Sequence, residues 1–500
     1  MKKIAIILSF FCVLTFVSCE GFLDVSPSNQ ADSSTCITSE SDAQVMINGL
    51  MRKMTSSSYY GQDFMLFGDA RGGDFTIYTA GYTGSNMYYF AHTQSNATYS
   101  GMWSQGYNCL LQANNIIKNL EAMKAEGTTS TGLDNILGQA YTARALIHFD
   151  LVRLYGQPYN MNKSAAGIAV VTEPVDAGAQ LKRNTVEEAY TQIVADLNTA
   201  APLLAKKKVL GYINYYANQA ILGKVYMYMD NYSSAATCFA NVIDSGVYSL
   251  YKPSEWVASW TKQNGAESIF ELGIYPSEGD LGGSAYGILF RRKNHGNSSA
   301  YGCFSASEYW HKIMDNDDVR WGVMDYDHMY GEEERSNWPV CCYKYSGNPS
   351  LAGDGKSTST AVNVKVVRLS EVYLLAAEAY FQTNNKAKAA ELLNEIAKRN
   401  PNQAAWTASN VSLDAIFNEY RRELLGEGKL FFEEMRQNRT VNFEDDAWAS
   451  VPPRPTAKPT STGRSSAPSC RSPRTRSTPI RRSSRIRAID ADENVPYTDG

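Results

Sequence analysis

Two stretches of the chain repeat one pattern at a fixed offset, and this constrains the fold more than any other feature. In the first, Ala217-Asn-Gln-Ala-Ile-Leu-Gly-Lys-Val-Tyr226 leads through Asn231 to Ala235, Ala236 and Val242. Moving 154 positions on, Tyr380, Asn385, Ala389, Ala390 and Ile396 take the same places with no gap. Each copy reads as an apolar helix, a polar turn (Asp230-Asn231; Asn384-Asn385) and a second helix with paired alanines. Small residues let two antiparallel helices approach closely while large ones fill the groove opposite. This is the logic of the tetratricopeptide-like hairpin, a unit of about 34 residues. Similar helices flank the copies. Met102 to Leu120 carries Leu110, Leu111, Ile116, Ile117 and Leu120 on one stripe, and Gly138 to Tyr155 is stopped by Gly156 and Pro158. Thr185-Val-Glu-Glu188 is a capping box that opens a helix running to Leu204. The expected pairs are 103–120 with 138–155, 186–204 with 214–229 and 231–244, and 370–382 with 386–399. The fold class is therefore mainly α, a scaffold of tetratricopeptide-like hairpins.

Two Gly/Tyr/Asn-rich stretches, residues 55–101 and 246–362, lack that periodicity. Ordinary connections run about 4–6 residues. Long loops on a rigid frame are where binding sites usually lie, so these two stretches are expected to carry the binding surface. A chain that is 44% hydrophobic and 20% charged is neither wholly disordered nor collagenous. Its net charge of −4 hides a split: residues 451–487 hold ten Arg or Lys and no acid, leaving −14 on the rest. An acidic body does not suit nucleic acid, and no nucleic-acid partner is expected. The segment 451–500 has hardly an apolar residue to bury. It reads as a disordered basic Pro/Ser/Arg tail or, preferably, as translation out of frame.

Lys2 and Lys3 precede an apolar run from Ile4 to Val17. As a helix it would span roughly 21 Å, too short for a ~30 Å hydrocarbon core. Residues 1–18 are expected to be an export signal. Ser18 directly before Cys19 resembles the bacterial lipoprotein cleavage box, which makes Cys19 the lipid anchor and the membrane a partner. A plain secretory signal ending near Ser18 is the alternative. Cys109 and Cys238 fall inside helical patterns and read as small core residues. With no CxxC or Cys/His set, no zinc site is expected.

Several motifs in order resemble the SusD/RagB-like family of outer-membrane nutrient-binding lipoproteins. Cys19-Glu-Gly-Phe-Leu-Asp-Val-Ser-Pro-Ser-Asn29 is similar to the family's mature N-terminus. Trp103, Tyr107 and Ala113-Asn-Asn-Ile-Ile117 follow, then Gly138-Gln-Ala-Tyr-Thr-Ala-Arg144-Ala-Leu-Ile-His-Phe149-Asp-Leu-Val-Arg-Leu-Tyr-Gly156. Leu369-Ser-Glu-Val-Tyr-Leu-Leu-Ala-Ala-Glu378-Ala and Tyr420-Arg-Arg-Glu-Leu-Leu-Gly-Glu427-Gly complete the set. The resemblance covers residues 19 to about 445, and the body is taken as 19–450. It implies a cell-surface lipoprotein that binds glycan or oligosaccharide and delivers it to a SusC-like TonB-dependent outer-membrane transporter. The family's Ile/Pro-rich end and Asn-Pro-Gly-Tyr-like terminus are missing, in keeping with the out-of-frame reading. Arg144 is expected to pair with a carboxylate such as Glu378 or Glu371, and Arg421, Arg422 and Glu427 read as structural in the same way.

No catalytic residue is assigned. There is no HExxH and no GxSxG, and Gly353-Asp-Gly-Lys356-Ser357 has Ser350 where a P-loop needs its first glycine. Asp315-Asn-Asp317-Asp318 lacks the glycine and terminal glutamate of an EF-hand, so an Asp-x-Arg ion pair with Arg320 is preferred over calcium. No cofactor and no metal is expected, and His148 reads as a packed core imidazole. Aromatic density is the positive signal. Residues 59–107 hold eight Tyr, and 301–345 hold six with Trp310, Trp321 and Trp338. Flat rings cover the C–H face of a sugar while charged groups bind its hydroxyl rim. Asp69, Arg71 and Asp74 lie just before Tyr78 and Tyr82 in such an arrangement. The expected ligand-binding residues are these five with Tyr301, Trp321 and Trp338. The rival readings are a surface glycan hydrolase, a peptide-cargo binder of the same family, and a purely assembling scaffold.

Overall fold

The computed structural model describes residues 37–77, 84–91, 96–176, 178–275, 281, 284–290, 301–326, 340–345 and 361–443. The expected signal at 1–18, Cys19, Tyr78, Tyr82, Trp338 and the segment 451–500 lie outside the described residues. The principal helices are α1 (Glu40–Met54), α2 (Asp63–Ala70), α3 (Ala97–Ala125), α4 (Thr131–Tyr155), α5 (Val186–Ala200), α6 (Tyr215–Tyr228) and α7 (Tyr232–Ile243). They continue with α8 (Pro253–Ser259), α9 (Leu369–Gln382), α10 (Lys386–Ala397), α11 (Leu413–Leu424) and α12 (Leu430–Arg436). The fold is mainly α, as the periodicity predicts.

The repeat holds to the residue. Adding 154 to the bounds of α6 and α7 gives the bounds of α9 and α10. Both turns use one left-handed residue, Asp230 at φ 56 and Asn384 at φ 64. Asn and Asp tolerate that conformation because their short polar side chains bond locally. The next residue caps the second helix in each copy: Asn231 accepts from the Ser234 N–H and Asn385 from the Lys388 N–H, both at 3.2 Å. Gly223 of α6 meets Phe239 of α7 so closely that an added Cβ would lie 2.6 Å from the ring. The hairpins α3/α4, α6/α7 and α9/α10 each pack face to face, and α7 against α9 joins the last two. One grouping differs from expectation: α5 packs chiefly on α4 and only lightly on α6. Its capping box is present, with Thr185 and Glu188 bonding each other's backbone N–H.

Among the described residues three short antiparallel ribbons order the long loops: one joins the two stretches, one lies within the second, and one ties the second to the strand that leads into α9. β1 (Phe75–Ile77) pairs with β3 (Phe304–Ala306), β2 (Ser268–Leu272) with β6 (Val364–Arg368), and β4 (Met324–Tyr326) with β5 (Val340–Cys342).

Most buried charges in the helical core are paired, although Glu434 Oε2 is buried without a hydrogen-bond partner. Arg144 is 4% exposed, and its partner is Asp196 of α5, at 2.7 and 2.8 Å, with further bonds to Asn114 and the Thr172 carbonyl. The expected partners are corrected, because each is already engaged. Glu378 accepts from Arg436 at 2.6 Å, and Glu371 lies between Lys224 and Lys429. His148 is fully buried as expected, its Nε2 accepting from the Val171 N–H at 3.2 Å. Burial pulls its pKa down to about 3. Cys109 and Cys238 are buried on α3 and α7.

Candidate ligand-binding face

The ribbon of β1 with β3 brings the two loop stretches together, in the register Phe75↔Ala306, Thr76↔Ser305 and Ile77↔Phe304. Aromatic packing is what holds the seam. Phe75 and Phe304 sit on Phe290, at 4.6 and 5.6 Å between centroids, and Tyr286 stacks on the same ring at 4.8 Å. Among the described residues Tyr59, Tyr60, Tyr88, Tyr99, Tyr107, Tyr343 and Tyr345 are buried, Tyr59 and Tyr60 against Asp150 of α4 and Tyr107 against the Ala169 carbonyl.

That burial corrects three expected ligand contacts. Asp69, Arg71 and Asp74 are each 2% exposed and face inward. Asp69 accepts from the Tyr286 hydroxyl and, at 2.8 Å, from the Gly428 N–H. Burial outweighs both bonds and pushes its carboxyl up to about 7. The Arg71 guanidinium lies over Phe90 at 4.1 Å, Phe67 at 4.7 Å and Phe431 at 4.9 Å. It also meets the Tyr99 hydroxyl at 3.3 Å. Asp74 is clasped by Arg421 of α11, whose Nε donates at 2.9 Å and whose Nη2 donates at 2.5 Å. These charges tie the loop to the frame and are closed off from any ligand.

Open rings remain at the edge of the seam. Tyr301 is 42% exposed, and Tyr89, next to the buried Tyr88, is 39% exposed. Trp321 is half-buried in the 3-10 turn Val319–Val323. Its indole N–H donates to the Asp315 carbonyl at 2.8 Å, and its ring stands edge-on to Trp310 and His311 at 5.3 and 5.2 Å. Tyr309, also half-buried, lies over the Arg421 guanidinium at 3.8 Å. Trp310, its chain neighbour, is fully buried and donates to the Arg421 carbonyl at 3.4 Å. The helical turn Glu308–His311 thus points one ring inward as an anchor and holds the other at the surface. Sequence reasoning missed Tyr309 and Tyr89, since neighbouring aromatics give no sign of which will face out.

Beneath this edge lies a dense ion-pair network. Arg320 bonds Asp318 at 2.6 and 2.8 Å, the expected Asp-x-Arg pair, and reaches Glu419 at 2.6 Å. Arg368 and Arg399 converge on Glu423 and Glu267, and Lys344 meets Glu427 at 2.8 Å. Asp315 and Asp317 both accept from the Asn402 amide. Among the described residues no group of three His, Cys, Asp or Glu side chains could hold a metal ion. Cavities lined by Arg153, Tyr190 and Phe431 and by Lys224, Glu371 and Phe239 measure about 20 and 40 Å³. That is room for a few waters at most and far less than a sugar ring.

Comparison with known proteins agrees with this architecture. A family profile described as "Starch-binding associating with outer membrane" matches residues 21–227, and one described as "SusD family" matches 290–469. The "SusD-like protein P38" of Formosa agariphila is 22% identical, over 88% of this chain and 93% of that protein. A SusD superfamily protein from Bacteroides thetaiotaomicron superposes with a TM-score of 0.75 at 29% identity, over 81% of this chain and 91% of that one. A further structure, solved with xylogluco-oligosaccharide, has a TM-score of 0.65 at 19% identity, over 79% of this chain and 82% of its own. With two profiles matched in order along a shared helical frame, the chain belongs to the SusD/RagB-like family.

Proposed function

We propose that this protein captures a glycan or oligosaccharide at the cell surface without cleaving it and hands it to a SusC-like TonB-dependent outer-membrane transporter. The observation that carries the reading is that Tyr301 is exposed and Tyr309 and Trp321 are partly exposed on the second loop stretch, which the ribbons and buried aromatics fix in place. Flat faces held at fixed orientation match the C–H face of a pyranose with little ordering cost on binding. Tyr78, Tyr82 and Trp338 belong to the same two loops in sequence and are proposed as further ligand contacts. Cys19 is the proposed lipid anchor in the outer membrane; among the described residues no helix is long and apolar enough to cross a membrane. The relative solved with xylogluco-oligosaccharide makes xyloglucan the first probe.

The test is affinity electrophoresis of the purified chain through gels containing xyloglucan, starch or other polysaccharides. One polymer should retard migration, and Trp321→Ala or Tyr301→Ala should weaken retention about three- to tenfold, the worth of one aromatic contact. The same incubation should release no new reducing ends. Retention by none of the polymers, or oligosaccharide products abolished by removing one carboxylate, would refute the reading.

A further inference from the structure

Away from the aromatic seam, the connector between α5 and α6 carries Lys206-Lys207-Lys208 on a body whose formal charge is otherwise strongly negative. The Lys206 ammonium lies over Tyr215 at 4.6 Å, and Lys208 lies over Tyr248 at 5.5 Å and donates to the Gly265 carbonyl at 2.6 Å. Three residues before Gly265, Lys262 caps Tyr251 at 5.7 Å. Thus four lysines from two segments share one face. Leu210 sits beside them, 60% exposed, and Tyr212 donates to Asn48 of α1 at 2.9 Å. One helical turn back from Asn48 is Val45, 66% exposed. Val45 and Leu210 are the two most exposed large apolar side chains among the described residues; Leu210 follows the lysines by two residues, and the Tyr212–Asn48 bond ties their segment to the helix that carries Val45. The acids near these residues in the chain are engaged: Glu267 by Arg368 and Arg399, Glu271 by Lys365, Glu255 by the Lys252 N–H, and Asp42 by Thr38 and Ser39.

We propose that this face rests on an anionic lipid surface, with the lysines among the headgroup phosphates and Leu210 and Val45 dipping below them. Basic residues bordering exposed aliphatic tips are the composition of an interfacial contact. Lysine suits the place because its stem can lie along apolar surface while its ammonium reaches the phosphate layer. An acidic glycan is the rival occupant. It is disfavoured because the lysines already cover Tyr215, Tyr248 and Tyr251, and aliphatic tips offer a sugar no flat ring.

The test uses the chain from residue 19 with Cys19→Ala and with the ten Arg and Lys of 451–487 replaced by Gln, so that no leader, acyl chain or basic tail contributes. It is sedimented with vesicles of phosphatidylcholine alone or mixed with phosphatidylglycerol. The chain should partition onto the phosphatidylglycerol vesicles only, and salt should release it. Lys206→Glu, Lys207→Glu and Lys208→Glu together should weaken partitioning by at least about tenfold, at an unchanged circular dichroism spectrum. Leu210→Asp should weaken it while the salt dependence persists. Equal partitioning on both vesicle types, or no effect of the triple substitution, overturns the proposal. So does capture of soluble polygalacturonate by the same lysines in the absence of vesicle binding. The assay contains no neutral glycan, so its failure leaves the nutrient-binding reading standing.

Discussion

Arg144 illustrates how single residues are used in this molecule. Its guanidinium meets Asn114 of α3, the Thr172 carbonyl and Asp196 of α5, which also accepts from Gln192 at 2.8 Å. A buried pair adds little over an apolar pair of the same shape, but breaking one strands a charge. Arg144→Met should therefore lower the free energy of unfolding by about 3–5 kcal/mol, read from urea denaturation. Adding Asp196→Leu should recover much of the loss. If the double variant is no better than the single one, the charge-pairing account of this motif is wrong and Arg144 acts through packing alone. The same physics explains Asp69, Arg71 and Asp74, whose types suggest a ligand site and whose partners Tyr286, Phe90 and Arg421 make them internal ties.

Between elements, the repeated hairpin sets a limit on side-chain size at its crossing. Gly223 and its counterpart Ala377 stand 154 positions apart, and both lie on the buried face of the first helix of their copy. In the first copy Phe239 fills the space a side chain would need, with the nearest ring atom 2.6 Å from an ideal Cβ. Gly223→Ala gains helix propensity, about 1 kcal/mol at an unconstrained site. Here the steric cost of moving a fully buried ring should outweigh it, giving a net loss of about 1–2 kcal/mol in thermal or urea unfolding. Pairing it with Phe239→Leu should restore the wild-type value or better. A stabilised single variant would mean that α6 and α7 can slide apart freely, contrary to the tight crossing.

At the scale of the whole molecule, the helical frame was legible because its period is written locally in each hairpin. The partner of Arg144 and the exposure of each ring were not, because enclosure is decided by chain far away in sequence. Tyr88 and Tyr89 are neighbours, yet one is 6% and the other 39% exposed. That enclosure also gives the whole fold a dependence on acid. Burial raises the Glu371 carboxyl, but Lys224 and Lys429 outweigh it and hold the pKa down at about 2. Glu271, Glu419, Glu423 and Glu427 are likewise held below the ordinary range, burial opposing and their Arg or Lys neighbours prevailing. A carboxyl with a depressed folded pKa binds fewer protons folded than unfolded. Its stabilisation is complete above the unfolded value of 4.5 and drains away as pH falls toward the folded one. Asp63 and Asp69, which burial pushes up to about 7, act in the opposite sense as pH falls from 7 to 3.8, and burial also raises Asp74, Asp150 and Glu434. His148 and His311, pulled down by burial to about 3 and about 4, work against them. The steep fall of the urea midpoint should accordingly lie between pH 4.5 and 2. Glu371→Gln should be less stable at pH 7 and show a shallower acid limb, because one of the titrating groups is gone. An acid limb as steep in that variant as in the wild type would place the proton uptake elsewhere and remove Glu371 from the carboxyls whose ion pairs stabilise the helical frame.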